Sequence, residues 1–403
     1  MKNRALQVEN LFDSSLLSAE GLLYSSLKLN EMRAWEAADF SATDVVSRIP
    51  GYEQISFADF MNYENTGMVQ GTFLSAMCSK YRVTGNPDSL KKAARTFQGI
   101  LHVYEISRQI APGFYCKPWG GRLTDETSSD QYIYTLYGLD DYFPLAPRRE
   151  QKKIREMIIS MVSFWLDRNY DWNYYGVPIH WRQCRFISFM ALAVKYDGGP
   201  RFQTELNRLI EEQKKDPSTP FQSTLKEGSR NGKNLCVLPE SSLSTFLSIE
   251  KAMQRWNCSR FMEICRDSME YGKTGLAEDG TSFGPMVMDE ATGKWREMKV
   301  SETTYETNRF QSPIYGLRGP YRKGGMQNIM FARFAIAFSD YDNSCGGREL
   351  AENLLNQVGM EHFTWFEDPY HIFPQEILWM TNVLAADAPA HWLWCYWKLQ
   401  EKN

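Results

Sequence analysis

Apolar residues recur along most of the chain at the spacing of amphipathic helices, and the alternation typical of strands is almost absent. The pattern predicts an opening helix over residues 14–28. It then predicts six helix–turn–helix pairs: 66–84 with 89–109, 129–142 with 150–168, 185–196 with 202–214, 241–254 with 260–271, 325–338 with 347–357, and 375–385 with 390–400. The turn Gly85-Asn86-Pro87-Asp88 is a typical boundary, because glycine ends one helix and proline opens the next.

The two helices of each pair differ in composition. The first is apolar nearly all round, as in residues 186–193, and such a helix is normally buried. The second carries a charged face, as in residues 150–157, and such a helix is normally peripheral. Alternating buried and peripheral helices predict an all-α double ring. An open solenoid is the alternative, but solenoids usually show a fixed repeat that this sequence lacks.

The connections between successive pairs are long and rich in aromatic residues. They cover residues 110–128, 169–184, 215–240, 272–324 and 358–374. The short turns within the pairs must lie at the opposite end, so the long loops gather at one rim of the ring, where the inner helices begin. Functional residues are expected at that rim.

Six inner–outer pairs, long loops at one rim, and the segments Tyr81-Arg82-Val83-Thr84-Gly85-Asn86-Pro87 and Lys117-Pro118-Trp119-Gly120-Gly121-Arg122 together resemble the six-hairpin glycosidases. The resemblance implies one (α/α)6-barrel catalytic domain over residues 1–403, with residues 1–60 as an N-terminal helix and loop packed on the barrel. That superfamily includes unsaturated glucuronyl and rhamnogalacturonyl hydrolases and other exo-glycosidases. The same ring architecture serves polysaccharide lyases and sugar epimerases.

The composition excludes several classes of partner. Forty-five Lys and Arg against 49 Asp and Glu leave a net charge of −4, so no basic excess attracts nucleic acid or an anionic membrane. No apolar stretch approaches the roughly 20 residues of a membrane span, and the N-terminus lacks the apolar core of a signal peptide. We expect an oligosaccharide-binding protein in the cytoplasm, or in the periplasm if a leader has been removed, and a homodimer is compatible with the sequence. The eight scattered cysteines favour reduced, mostly buried thiols.

The strongest candidate for chemistry is the segment 119–131, which runs from a long loop into the second inner helix. A helix start accounts for Asp125 and Glu126, because acidic groups favour the positive end of a helix. Asp130 instead leads into an apolar, buried pattern, where a carboxylate would be desolvated and its pKa raised, as a general acid requires. The resemblance implies the same role, since an aspartate at this helix start is the acid/base of unsaturated uronyl hydrolases. Cleavage of a saturated glycoside needs a second carboxylate, and Glu64 and Glu240 precede other inner helices.

The candidates for substrate binding lie in the same loops. They are Trp119, Arg122, Glu126, His180, Trp181, Arg182, Arg318, Arg322, Tyr370 and His371. Guanidinium groups suit carboxylate recognition, so the arginines favour a uronic acid, although pairing with acids of the rim is an equal alternative. The histidines lack metal-ligand spacing, and no phosphate-binding glycine loop or serine-nucleophile signature is present. We therefore expect no metal and no cofactor.

These observations predict a glycoside hydrolase, of the unsaturated uronyl hydrolase or beta-glucuronidase kind, that acts on an acidic oligosaccharide. Asp130 is the expected general acid/base, with Glu64 or Glu240 as its partner. A sugar epimerase or isomerase is one alternative, for which His180 and His371 leave room. A polysaccharide lyase and a non-catalytic saccharide-binding protein are the others.

Overall fold

The structure is a computed structural model. It describes residues 1–40, 52–53, 55–215, 235–236, 238–253, 259–277, 280, 283, 286–289, 291–292, 294–297, 299–302, 304–305, 317–318, 325–368 and 370–401. Three of the predicted site residues are affected by these limits. The side chains of Glu240 and Arg318 are not described, and Arg322 lies outside the described residues.

The helices of the described residues agree with most of the predicted ones. They are α1 (Lys2–Ser14), α2 (Phe57–Tyr63), α3 (Thr66–Thr84), α4 (Pro87–Ser107), α5 (Ser129–Tyr142), α6 (Arg148–Leu166), α7 (Ile187–Lys195), α8 (Pro200–Lys215), α9 (Leu238–Met253), α10 (Ser259–Lys273), α11 (Met326–Ser339), α12 (Gly347–Asn356) and α13 (Asp387–Gln400). The predicted bounds of α3 and α5 are confirmed to the residue. At the turn after α3, Gly85 is left-handed, and the Asn86 side chain accepts a hydrogen bond from the Asp88 N–H that starts α4. None of these helices is long and apolar enough to cross a membrane.

Six of the helices form a closed inner ring. In order around the ring, α3 packs against α5, α5 against α7, α7 against α9, α9 against α11, and α11 against α13, which returns to α3. Outside them, α4, α6, α8, α10 and α12 follow their inner partners along the chain. The inner helices are buried nearly all round, whereas the outer ones bury one face, as the composition predicted. The predicted (α/α)6 barrel is confirmed.

The sixth pair is built from segments other than the predicted ones. Residues 375–385, predicted as an inner helix, are instead a 3-10 helix (Gln375–Asn382) followed by a short strand. Residues 390–400, predicted as an outer helix, belong to α13, which is the sixth inner helix and is buried over most of its length. The outer position is taken by α1, which packs against α13.

The opening helix also differs from its predicted bounds of 14–28, because α1 ends at Ser14. Its anchor is Glu9, a buried carboxylate that accepts a hydrogen bond from Lys80 of α3 (2.6 Å) and another from Lys92 of α4 (2.5 Å). The apolar residues after α1 are buried without helix, and some of them form the strand β1 (Ser26–Lys28). Their burial explains why their pattern resembled a helix face.

Short antiparallel strands occupy the connections. They are β1 with β9 (Val383–Ala385), the hairpin β2 (Asp171–Tyr174) with β3 (Val177–His180), the three strands β4 (Leu235–Cys236), β5 (Met286–Asp289) and β6 (Lys294–Glu297), and β7 (Thr304–Tyr305) with β8 (Leu317–Arg318). In the β1–β9 pair, Ser26 faces Ala385, so this pair joins a segment before the first inner helix to the start of the last.

The cysteine side chains that the structure describes are free thiols. Cys78, Cys116, Cys184, Cys265 and Cys395 are buried, and Cys345 is half-buried. Burial raises the pKa of the Cys184 thiol to about 11, and it raises the pKa of Cys78 further. Thiols that stay protonated at neutral pH are weak nucleophiles, so packing accounts for these residues.

The two inner helices α3 and α5 meet backbone to backbone at Gly71 and Gly138. A Cβ atom at Gly71 would overlap the carbonyl oxygen of Tyr134, and one at Gly138 would press on the backbone of Gly71. The absence of side chains therefore sets the separation of these helices.

Replacing Gly71 with Ala should lower the free energy of unfolding by about 2–3 kcal/mol, because the added methyl group overpacks a backbone contact. Urea unfolding followed by circular dichroism measures the change. Gly85→Ala is the matched control: its Cβ meets open space, and only the left-handed backbone costs about 1–2 kcal/mol. Equal losses in both variants would contradict the proposed close packing of α3 on α5.

Candidate functional site

The starts of the first two inner helices, α3 and α5, are joined at the rim by the side chain of Gln131. Its Oε1 accepts a hydrogen bond from the Gly67 N–H (3.0 Å), and its Nε2 donates to the carbonyl oxygen of Glu64 (3.1 Å). Gln131 is itself buried. This link brings the residues that precede α3 next to those that precede α5.

Glu64 lies just before α3 and is buried. Its Oε1 accepts hydrogen bonds from Lys117 and from the Tyr175 hydroxyl (2.5 Å), and its Oε2 accepts one from the Trp119 indole N–H (2.9 Å). Lys117 is also buried, and its ammonium group lies 5.0 Å from the ring centre of Tyr175. Three donors therefore hold the Glu64 carboxylate in place, and this carboxylate supports its neighbours more than it faces a ligand.

Glu126, just before α5, is only 1% exposed. It accepts hydrogen bonds from the backbone N–H groups of Tyr175 (2.9 Å) and Gly176 (3.2 Å), which form the tip of the β2–β3 hairpin. Burial raises the pKa of Glu126 to about 7; these N–H groups and Lys117 oppose the rise, and the nearby charge of Glu64 adds to it. Glu126 therefore fixes the hairpin against the rim and changes charge near neutral pH.

The raised pKa of Glu126 makes stability depend on pH. Because its pKa of about 7 in the fold exceeds the ordinary 4.5, the folded chain binds the extra proton between these two values. The contribution of Glu126 to the free energy of unfolding is full below about pH 4.5 and is lost as the pH rises through about 7. The change is about 3 kcal/mol.

We expect Glu126→Gln, which imitates the neutral acid, to remove this decline in the free energy of unfolding. Urea unfolding at pH 4.5, 6 and 8 measures it. Glu352→Gln on the exposed face of α12 is the control and should keep the wild-type dependence. A Glu126→Gln protein with the same pH dependence as wild type would show that Glu126 titrates normally.

Asp130, the second residue of α5, is the accessible carboxylate of this group. Its side chain is 43% exposed, and its Oδ1 lies 3.5 Å from Nη1 of Arg185. The same Arg185 nitrogen donates to the Ser129 hydroxyl (3.3 Å). The expectation that Asp130 is desolvated is wrong, because the first turn of α5 lies at the open rim, and the desolvated acids are Glu64 and Glu126.

The three carboxylates surround one phenol. Burial raises the pKa of Tyr174, and the negative charges of Glu64, Asp130 and Glu126 raise it further. The ammonium group of Lys117 lies 5.0 Å from the ring centre of Tyr174. Acids that precede two different inner helices therefore act on the same small region of the rim.

The other predicted binding residues divide into two sets. Trp119 is buried in the Glu64 group, and half-buried Trp181 places its ring 5.7 Å from that of Tyr174, so both lie beside these carboxylates. Exposed at the surface are Arg122, Arg182, Tyr370, His371 and His180, of which His180 bonds Asp171 across the hairpin (2.8 Å). Among the described residues, no three His, Cys, Asp or Glu side chains are grouped to hold a metal ion.

Sequence reasoning missed two residues of the candidate site, Lys117 and Tyr175. Lys117 carried a signal, because it is a single charge within the aromatic and apolar segment 114–119. Tyr175 carried none, because its contact with Glu64 spans 111 positions and depends on the path of the hairpin.

No protein-family model and no curated protein sequence matches the chain. Solved structures do match it. A cellobiose 2-epimerase from Bacillus thermoamylovorans B4167 aligns with a TM-score of 0.53 and 11% identity, over 98% of this chain and 99% of that one. A D-mannose isomerase aligns with a TM-score of 0.53 and 9% identity, over 99% and 96%. At 9% and 11% identity, this likeness shows that the chain shares the (α/α)6-barrel fold of these structures.

An unsaturated glucuronyl hydrolase specific for heparin aligns almost as well, with a TM-score of 0.51 and 10% identity, over 99% of this chain and 95% of that one. These proteins share the barrel and differ in the reaction that their names state. The fold by itself therefore does not determine a reaction, and any function must be argued from the side chains.

Proposed function

We propose that the protein is a carbohydrate-active enzyme, a glycoside hydrolase of acidic oligosaccharides, in which Asp130 is the general acid/base. The observation that carries the proposal is that Asp130 is accessible at the rim, whereas Glu64 and Glu126 are buried beside it. Arg185 donates to Asp130 and limits the directions in which its carboxyl group can point. A positioned carboxyl group at an open rim can exchange a proton with a bound sugar.

The engagement of Glu64 and Glu126 favours an unsaturated uronide as substrate. Cleavage of a saturated glycoside needs two carboxylates that both face the scissile bond. Glu64 is held by three donors, and both oxygens of Glu126 accept backbone N–H groups. Hydration of an unsaturated uronide needs one acid: Asp130 gives a proton to the double bond and recovers one from the water that adds.

The epimerase or isomerase alternative finds less support in the described residues. Such a reaction moves a proton on carbon and was expected to use two histidines at the pocket. His180 is 51% exposed and His371 is also exposed, and they lie on separate connections. The arrangement of Asp130, Glu64 and Glu126 therefore favours the hydrolase over the epimerase or isomerase.

The test is a panel of three substrate types: unsaturated uronyl disaccharides, saturated glucuronides, and the neutral disaccharide cellobiose. Ultraviolet absorbance follows loss of the double bond, and proton NMR in heavy water follows both cleavage and hydrogen exchange at carbon. We expect loss of absorbance and release of the leaving sugar from the first type. Exchange of a carbon-bound hydrogen without cleavage would assign an epimerase or isomerase. Binding of all acidic sugars without turnover would assign a saccharide-binding protein.

A further inference from the structure

A buried arginine lies inside the inner ring, away from the group around Glu64. Arg333 of α11 is 2% exposed and His391 of α13 is fully buried. Arg333 Nη1 donates to Nδ1 of His391 (2.6 Å) and to the hydroxyl of Thr72 on α3 (3.2 Å). The guanidinium group also lies 5.3 Å from the ring centre of Tyr134 on α5. Four inner helices therefore meet at this cation.

Within the described part of the chain, no carboxylate forms an ion pair with Arg333. No described Asp or Glu oxygen lies within 4.0 Å of its guanidinium nitrogens, and burial lowers its pKa. Aromatic rings supply part of the missing negative potential, since the ring centre of Trp394 lies 4.8 Å away. A buried cation without a counter-ion carries a desolvation penalty of several kcal/mol.

The bond to His391 also fixes the tautomer of the imidazole. An arginine only donates, so Nδ1 of His391 must accept, and the ring proton must sit on Nε2. Burial and the charge of Arg333 hold the pKa of His391 well below its usual value, so the ring is neutral. His391 Nε2 and Arg333 Nε are both buried atoms without a hydrogen-bond partner in the described residues. Both are donors, whereas buried donors in proteins are nearly always paired.

The depth of these groups places them below the rim. Thr72, Tyr134, Arg333 and His391 lie four to seven residues after the first residue of their helices. At about 1.5 Å per residue this is about 6–11 Å along the axis. Asp130 is at the rim above them, because it is the second residue of α5.

We propose that Arg333 and His391 form an anion-binding site inside the barrel that takes a carboxylate group. The buried positive charge and the unpartnered Nε–H of Arg333 suit a carboxylate oxygen, and the unpartnered Nε2–H of His391 is a second donor in the same interior. That the bound carboxylate is the uronate of the substrate rests on the proposed function. The existence of the anion site does not. A small free carboxylate offers the same chemistry, and the experiment separates the two sources.

The test measures the midpoint of thermal unfolding with sodium glucuronate, sodium acetate or glucose at constant ionic strength. The midpoint of the wild-type protein should rise by about 2 °C at a glucuronate concentration ten times its Kd, and glucose should leave it unchanged. Arg333→Met should abolish the rise, and its midpoint without added anion should equal or exceed that of wild type. Arg201→Met removes a surface arginine paired with Asp167 and should keep the rise.

A rise with glucuronate but not acetate supports the site and assigns it to the sugar, and an equal rise with acetate supports it and assigns it to free carboxylates. The absence of a rise in wild type, or an equal rise in Arg333→Met, overturns the site. If Arg333→Met does not fold, Arg333→Lys retains the charge and should keep part of the rise. If no substrate in the panel is turned over but the Arg333-dependent rise in the unfolding midpoint is observed, the hydrolase proposal is wrong and the anion site stands.

Discussion

Replacing Asp140 with Asn should lower the free energy of unfolding by about 3–5 kcal/mol, because the change leaves two lysines without their buried counter-ion. Asp140, near the end of α5, is paired with Lys195 of α7 and with Lys251 of α9, whose Nζ lies 3.0 Å away. The Tyr196 hydroxyl donates to the same carboxylate (2.7 Å). Lys251 is buried as well, so water cannot replace the lost partner.

Asp140 also gives this effect a pH dependence with a definite sign. Burial acts to raise its pKa, but Lys251 and Lys195 outweigh burial and lower it to about 2. A depressed pKa means that the carboxylate stabilises the fold above its ordinary value of 3.8 and that this contribution is lost as the pH falls through about 2. The loss in Asp140→Asn should therefore be full at pH 7 and should shrink in strong acid.

Urea unfolding at pH 7 measures the effect, and Asp141→Asn is the matched control. Asp141 is the next residue on α5, it is only half-buried, and its backbone carbonyl accepts a hydrogen bond from Arg82. The control should stay within about 0.5 kcal/mol of wild type. Similar losses in both variants would show that the ion group around Asp140 contributes little. Because the group lies at the ends of α5, α7 and α9, opposite the rim, activity per folded molecule should not change.

The sequence predicted the inner and outer helices well where boundary residues are strong. The bounds of α3 were recovered because Gly85 and Pro87 mark one end of a continuous apolar pattern. The prediction of the sixth pair was wrong because strand β9 and the 3-10 helix before it have an apolar pattern like that of an α-helix. The composition of α13 could have indicated its true position. Its residues from Asp387 to Tyr396 are buried, as in the other inner helices.

The position of Glu64, Glu126 and Trp119 at the rim could be predicted, because acids and aromatics that precede an inner helix lie there. Their arrangement could not be predicted. Their association depends on Lys117 and Tyr175, which bond Glu64 across 53 and 111 positions, and no local pattern reports such a contact. The same limit applies to the Arg333–His391 pair, which joins residues of two inner helices in the ring interior.

We expect Asp130→Asn to lower kcat/KM on an unsaturated uronide by about a hundredfold to ten-thousandfold, the usual contribution of a general acid/base. The asparagine keeps the size of the side chain and can still accept a bond from Arg185, but it cannot carry the proton to the double bond. Its free energy of unfolding should change by less than about 0.5 kcal/mol, because the side chain is 43% exposed. Loss of ultraviolet absorbance gives the rate, and urea unfolding gives the stability.

The control for this variant is Asp125→Asn. Asp125 precedes the same inner helix and is exposed. Its backbone N–H donates to the Tyr52 hydroxyl, and its carbonyl oxygen accepts from the Trp172 indole. It should therefore retain wild-type turnover. If Asp130→Asn is folded and as active as Asp125→Asn, Asp130 does not carry the proton. The acid would then have to be Glu126, and activity would require the β2–β3 hairpin to release the Tyr175 and Gly176 N–H groups that now occupy both its oxygens.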